Sequence, residues 1–364
     1  MSTLYLTEER SLVRRDTEDC LLVQVPEQRG EGGSVLASAY KRRIPVVKIH
    51  DVVVMGEVTM TASAIQLLLE KNIEIHFLTH YGTLKGRLSP ELSKNSLLRM
   101  AQHRTHNDIS RRSELACRFA IGKLSNQRTM LQRSDRRHSV PLFSKEIEQM
   151  AISIRQLQTL STHCEVAPTL TTGDSGIAGT PLETILGLEG AGSALYFSCF
   201  GKMLADQQQW PFAGRVRRPP TDPINALLSF GYALLTSQVA SIVQIVGFDH
   251  YIGYLHSSAY GRPALALDLM EEFRPIIVDS VVLTLLNNRM LAPGDFHVEL
   301  GAYRLKKEPR NLFLKKFEER LNEEVTHPLF NYRIKYRRCI ELQARLVAKY
   351  LTKDIDEYPP FIVR

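Results

Sequence analysis

A chain of 364 residues is long enough for one large domain or two smaller ones. Its 44% hydrophobic and 23% charged residues exclude global disorder, and Lys plus Arg exceed Asp plus Glu by only 46 to 39, so a polyanionic partner is indicated only if that excess clusters. The five cysteines are scattered, odd in number and form no CxxC pair, which excludes a disulfide framework and a zinc knuckle, while no run approaches the roughly 18 apolar residues of a membrane span.

The N-terminal residues 1–8 lack the apolar core of a signal peptide, so a cytoplasmic protein is expected. The first 90 residues read as strand-rich. Residues 21–25, 44–49 and 52–55 are apolar, β-branched runs, and the glycines of 29–33 make a turn between the first two. Thr61 caps a helix whose apolar stripe is Ala64, Leu67, Leu68 and Leu69. Residues 73–78 alternate as a half-buried strand, and Tyr81-Gly82 turns the chain into 83–88 as a hairpin. Pro90 marks a boundary.

Beyond residue 90 the spacing becomes helical. Leu97, Leu98, Ala101, Leu115, Phe119, Leu124 and Leu131 fit long helices. Residues 165–180, with Pro168, Gly173, Gly176 and Gly179, predict an exposed loop, and 211–223 a second irregular stretch. Tyr358-Pro359-Pro360-Phe361 ends the last helix and is expected to pack back loosely. The fold class is therefore α+β: an N-terminal β-sandwich-like domain over 1–88, then a mostly α-helical C-terminal catalytic domain over 89–364.

Positive charge gathers in the helical part. Ten Arg or Lys stand between Arg99 and Arg137 against three acids, with Arg111-Arg112 and Arg136-Arg137 as doublets. Arg215, Arg217 and Arg218 punctuate the irregular stretch. Arg304, Lys306, Lys307, Arg310, Lys315 and Lys316 form another group, and Arg333 to Arg338 a last one. Each alone is most simply a solvated helix face. Together they point to a surface that tracks phosphates, and no base-reading motif accompanies them.

One segment concentrates chemistry: His256, then Gly261 and Pro263, then the apolar residues 264–267, then Asp268, Glu271 and Glu272. Asp268 and Glu271 stand at i and i+3, on one helix face. Carboxylates beside an apolar run need a compensating positive charge, and a divalent cation supplies it. Mixed carboxylate and imidazole ligation suits Mn2+, and Mg2+ less well. The same acidic pattern at a helix start serves the helix dipole equally well, and from these residues alone that is the simpler reading. Glu189 lies among small residues, in LEGAGSALYF, where close packing or close ligand approach is expected. A dinucleotide loop, a Walker motif, HExxH and GxSxG are all absent. The pair Asp249-His250 has no nucleophile near it and reads as structural.

Glu189 within LEGAGSALYF, His256 within YLHSSAYGRPALALDLMEEFRP, the segments 58–88 and 217–232, and YRRCIELQARLVAKYL together resemble the CRISPR-associated integrase/endonuclease of the adaptation module. The resemblance covers nearly the whole chain. It implies a metal at Glu189, His256 and Glu271, with Asp268 as a supporting catalytic carboxylate. Several relatives carry Asp where this chain has Glu271, which leaves the roles of Asp268 and Glu271 open. It implies a Mn2+- or Mg2+-dependent enzyme of the prokaryotic cytoplasm that inserts spacers into a CRISPR array by phosphoryl transfer. It also implies double-stranded DNA as substrate, a homodimer built on the β domain, and a heterohexamer with a small ferredoxin-like second core adaptation protein. Arg111, Arg112, Arg215, Arg217, Arg218, Lys306 and Lys307 are the candidate DNA contacts. The alternatives are a general repair or junction-type nuclease and a non-catalytic DNA-binding scaffold.

Overall fold

A computed structural model describes residues 2–29, 35–91, 93–137, 140–163, 180–256 and 259–363. The glycine turn 30–33 and the expected loop at 165–179 lie outside the described residues. The chain divides into a first unit, Met1–Leu92 with Arg310–Glu318, and a second, Ser93–Pro309 with Glu319–Arg364.

In the first unit β1 (Ser2–Leu6), β2 (Ser11–Thr17), β3 (Cys20–Val25), β4 (Gln28–Arg29), β5 (Val35–Ala37), β6 (Tyr40–Pro45), β7 (Ile49–Met55) and β8 (Val58–Met60) lead into α1 (Ala62–Glu70), β9 (Ile75–Leu78) and β10 (Leu84–Leu88). One sheet has the order β1-β7-β9-β10 and the other β6-β3-β2-β8. Leu6, Val52, Val54 and Ile75 of the first sheet share a buried cluster with Val13, Leu21 and Val23 of the second and with Ala64, Leu67 and Leu68 of α1. Thr61 caps α1 through its hydroxyl, which accepts from the Ala64 amide at 3.3 Å.

Two strand expectations change. Residues 44–49 are not one strand, because Pro45 ends β6 and Val46–Lys48 form a 3-10 turn. Proline has no N–H to extend the ladder. β9 is not half-buried: Ile75, His76 and Leu78 are all buried, as is Glu74 just before it. Its partner β7 runs parallel to it, and a sheet closed on both faces hides both sets of side chains.

The second unit begins with α2 (Ser96–Asn107), α3 (Ile109–Asp135), α4 (Ser144–His163), α5 (Pro181–Phe200), α6 (Pro223–Val246), α7 (Ala264–Met270) and α8 (Ser280–Asn287). β11 (Phe296–Glu299), β12 (Ala302–Leu305), α9 (Lys307–Asn322), β13 (Glu324–Thr326), β14 (Arg333–Lys335) and α10 (Tyr336–Leu351) complete the chain. α3 packs against α4 and α5, and α6 against α7 and α10. Local signals set the helix ends: Thr180 and Glu183 form a capping box at α5, and Asp222 caps α6 at the Asn225 amide, 2.8 Å away. Among the described residues α6 is long enough, and on average apolar enough, to cross a membrane, although polar residues interrupt it. Its most apolar window is 78% buried, and Gln238 within it accepts from Arg337, so it is a core helix.

The tail does not pack loosely. Tyr358, Phe361 and Val363 are buried, and Phe361 stacks on Phe273 with ring centroids 5.1 Å apart. Asn126 of α3 stitches it down: its amide nitrogen donates to the carbonyls of Glu272 (2.7 Å) and Phe361 (2.8 Å), and its oxygen accepts from the Val363 amide (2.9 Å).

Candidate catalytic site

The inward stripe of α3 carries Ala116, Phe119, Ala120, Lys123 and Gln127, all buried. Helical spacing carries Lys123 inward with its apolar neighbours. A buried ammonium requires counter-charges, and two carboxylates provide them. Glu189 of α5 makes one ion pair with Lys123, and Glu271 Oε2 lies 2.8 Å from the same Nζ. Ser193, one turn along α5, donates to Glu189 Oε1 at 2.9 Å. The small residues around Glu189 do not all act alike. A Cβ on Gly192 would come within 2.6 Å of Leu124, so this glycine lets α5 lie close on α3, whereas Gly187 and Gly190 face open space.

His256 is held from behind. Both oxygens of Asp268 collect the backbone N–H groups of Tyr254 (2.5 Å), Leu255 (3.1 Å) and His256 (2.9 Å), and Oδ1 also meets His256 Nδ1 at 2.7 Å. Gly253 allows the loop this close, since a Cβ there would sit 2.7 Å from Ala264 and from Asp268 Oδ2. In the neutral ring a carboxylate acceptor takes the proton of Nδ1, so that Nε2 is the nitrogen that can ligate. That nitrogen faces Glu271 Oε1 at 3.5 Å.

The geometry separates the three acids of the 268–272 segment. Asp268 anchors the histidine loop and Glu271 faces the cluster. Glu272 turns away, accepting from Tyr358 Oη (2.7 Å), the Phe361 amide (2.7 Å) and Gln343 (3.2 Å). Burial pushes Glu272 up to about 8 despite these donors. Burial also works against ionisation of Glu271, but Arg274, Lys123 and His256 outweigh it and hold the carboxyl at about 2. The helix-dipole reading of these acids fails on position. α7 begins at Ala264, so Asp268 lies past its first turn and Glu271 is its C-cap, the wrong end for an anion.

Arg274 Nη2 stands 3.2 Å from Glu271 Oε1, and its guanidinium lies 4.9 Å from the Tyr232 ring centre. Arg215 lies against the same ring at 5.5 Å and donates to Asn225 and Ser229. Tyr232 and Tyr196 both donate to Asp279, which burial pushes up to about 6 against those two hydroxyls and the nearby arginines. Beside the cluster opens a cavity of about 390 Å3, lined among others by Lys123, Glu189, Arg215, Arg217, Tyr232 and Arg274. Four cations against one acid make it a place for an anion.

The structure thus brings Glu189, His256 and Glu271 together, with Asp268 behind His256. Among the described residues no three His, Cys, Asp or Glu side chains are gathered to hold an ion, and Lys123 lies between Glu189 and Glu271. The donor set nevertheless fits a divalent cation: two carboxylates and an imidazole whose Nε2 faces them. The candidate DNA contacts divide. Arg217, Arg218 and Lys306 are exposed, Lys307 half-buried. Arg111 donates to the Tyr350 carbonyl (3.0 Å) and Arg112 to that of Tyr254 (3.1 Å), and Arg215 is bound inside the cavity wall. Lys123, Ser193 and Arg274 were not singled out from the sequence. A readable signal existed for Lys123, a charge falling with Asn126 and Gln127 on the apolar stripe of α3.

The model of the family "CRISPR associated protein Cas1" matches residues 4–319. The chain is 36% identical over 365 residues to a CRISPR-associated exonuclease Cas4/endonuclease Cas1 fusion of Geobacter sulfurreducens, covering 99% of this chain but only 60% of the fusion. It is 34% identical over 339 residues to a CRISPR-associated endonuclease Cas1 of Thermus thermophilus, covering 92% of this chain and 93% of that one. A solved casposase bound to its integration product superposes with a TM-score of 0.82 at 23% identity, over 100% of this chain and 95% of that one, a likeness of fold. The relatives that share a third or more of its residues are named endonucleases. Within that class, the chain belongs to the CRISPR-associated Cas1 family.

Proposed function

We propose that this chain inserts new spacers into a CRISPR array, using Glu189, His256 and Glu271 to hold a divalent cation, and that it cuts DNA when water replaces the attacking hydroxyl. The observation that carries the reading is the convergence of two carboxylates and one oriented imidazole, with Glu189 also lining a cationic cavity. In strand transfer a DNA 3′-hydroxyl oxygen bonds to a phosphorus of the repeat and the existing P–O3′ bond breaks, so the number of phosphodiesters is unchanged. The bound ion would lower the pKa of the attacking group and offset charge on the phosphoryl oxygens. Imidazole ligation favours Mn2+ over Mg2+. Asp268 accepts at Nδ1 of His256 and turns Nε2 to the site. Arg274, Arg215 and Arg217 line the cavity as phosphate partners. Exposed Arg218 and Lys306 extend this binding over the duplex backbone, so affinity falls steeply with salt.

Double-stranded DNA, a homodimer formed through the first unit, and a heterohexamer with the small second adaptation protein complete the proposal. A labelled prespacer, a repeat-containing plasmid and Mn2+ provide the test. Strand-transfer product is expected with Mn2+ and should vanish in EDTA, while DNA binding persists. Product that forms equally well in EDTA would sink the metal-dependent reading, and the complete absence of product would favour a scaffold.

Asp268→Asn places an amide against three backbone N–H groups and the imidazole. Mn2+ affinity is then expected to fall roughly 10- to 100-fold, the usual cost of losing the group that orients a ligating histidine. Titration of free Mn2+ by paramagnetic resonance measures this, and an unchanged affinity would remove Asp268 from that role.

A further inference from the structure

Lys123 takes no part in the function proposed above, yet its ammonium occupies the point where Glu189 and Glu271 approach one another. It is 4% exposed, and among the described residues it is the cation in contact with both carboxylates. Of the two carboxylates Arg274 reaches Glu271 alone, and its guanidinium lies over the Tyr232 ring. Lysine differs from it in kind. Its charge is a compact ammonium on a flexible four-carbon stem, able to move without breaking a stacked or forked contact. The cavity of about 390 Å3 that Lys123 helps to line opens beside it, so the ammonium has space to enter.

Two carboxylates facing each other in a buried site repel unless a positive charge stands between them. A divalent ion held by both would share that space with the ammonium, and the two positive charges would repel in turn. We propose that Lys123 is the built-in counter-ion of the metal-free site, and that metal binding displaces its ammonium from between Glu189 and Glu271 into the adjoining cavity. Lys123 therefore stabilises the empty site and competes with the ion that replaces it. The displaced ammonium joins Arg215, Arg217 and Arg274 around the cavity, adding positive charge where a phosphate would lie.

The proposal rests on the metal reading of Glu189, His256 and Glu271, and the test separates the two. Lys123→Met keeps the length of the side chain and removes its charge. Mn2+ is titrated against wild type, Lys123→Met and Lys123→Arg by paramagnetic resonance, and melting is followed in EDTA and in saturating Mn2+. The expected result is that Lys123→Met binds Mn2+ roughly tenfold tighter or more, the scale of removing one nearby like charge. Lys123→Arg should bind no tighter than wild type. In EDTA, Lys123→Met should melt below wild type, with Mn2+ restoring more of its stability. Unchanged or weaker Mn2+ binding by a folded Lys123→Met protein would overturn the displacement. Undiminished Mn2+ affinity in both Glu189→Ala and Glu271→Ala would instead overturn the metal reading and the proposal with it. Wild-type protein gives an independent reading should the variant fail to fold. Amine-reactive labelling read by mass spectrometry should mark Lys123 more readily with Mn2+ than with EDTA, and equal labelling would overturn the proposal.

Discussion

His256→Ala protein is expected to lose strand transfer by roughly 10^3-fold, equivalent to about 4 kcal/mol of transition-state stabilisation, the scale supplied by a correctly held metal ion. Folding should survive the change. His256 is partly exposed at the mouth of the cluster, and Asp268 keeps its three backbone N–H partners when the ring is gone. The melting temperature in EDTA should therefore stay close to that of wild type. The measurement is the rate of labelled-prespacer joining in Mn2+ at fixed salt, beside a melting curve of the same sample. Joining within a few-fold of wild type would dissociate His256 from the reaction. A large loss accompanied by unfolding would show that the ring supports the loop rather than the chemistry, which Glu189→Ala then decides, since that change leaves the loop untouched.

Phe361→Ala should have the largest effect on stability. The ring is fully buried, stacks on Phe273, and lies edge-on to His327 and Tyr336 at 5.4 and 6.3 Å. Emptying a site of that kind costs about 3–5 kcal/mol, a fall in melting temperature on the order of 10 °C for a unit of this size. The loss should also reach the site, because the amide of Phe361 holds Glu272 next to Glu271 along the chain. Mn2+ affinity is expected to weaken in the variant at temperatures where it remains folded. A melting curve within 2 °C of wild type, taking about 1 kcal/mol as the smallest secure difference, would contradict the account of the tail.

Elements whose signals are local were legible in the sequence. The cap of Thr61, the hairpin at Gly82 and the irregular stretch before α6 depend on neighbours a few residues away, and each is where the pattern places it. Features fixed by remote neighbours were not. Whether β9 is covered on one face or two depends on what packs against its sheet, which its own alternation does not record. The tail looks like a loose end because Pro359 and Pro360 break periodicity, and only the partners Asn126, Glu272 and Gln343 show why it is bound. At the site, the paired spacing of Asp268 and Glu271 was readable, but their separation into anchor and facing group was not. It follows from the Gly253–His256 loop folding back onto α7, a long-range turn with no periodic signature. Lys123 was overlooked because a basic residue in an arginine-rich helix reads as surface until the helix is given a buried side.

The grouping of Arg310–Glu318 with the first unit affects how the polypeptide matures during synthesis. The backbone amide of Thr3, at the outset of β1, donates to Glu318 Oε1 at 3.0 Å. That acceptor leaves the ribosome more than 200 residues after β10, roughly 10–40 s later at about 5–20 residues per second. Until then the nascent strands lack one of their native covers, and a β1–β7–β9 sheet with an unfinished neighbour is open to chaperones or to pairing with another nascent chain. Yield in cells should accordingly respond to elongation speed and temperature more than the finished molecule's melting point would indicate.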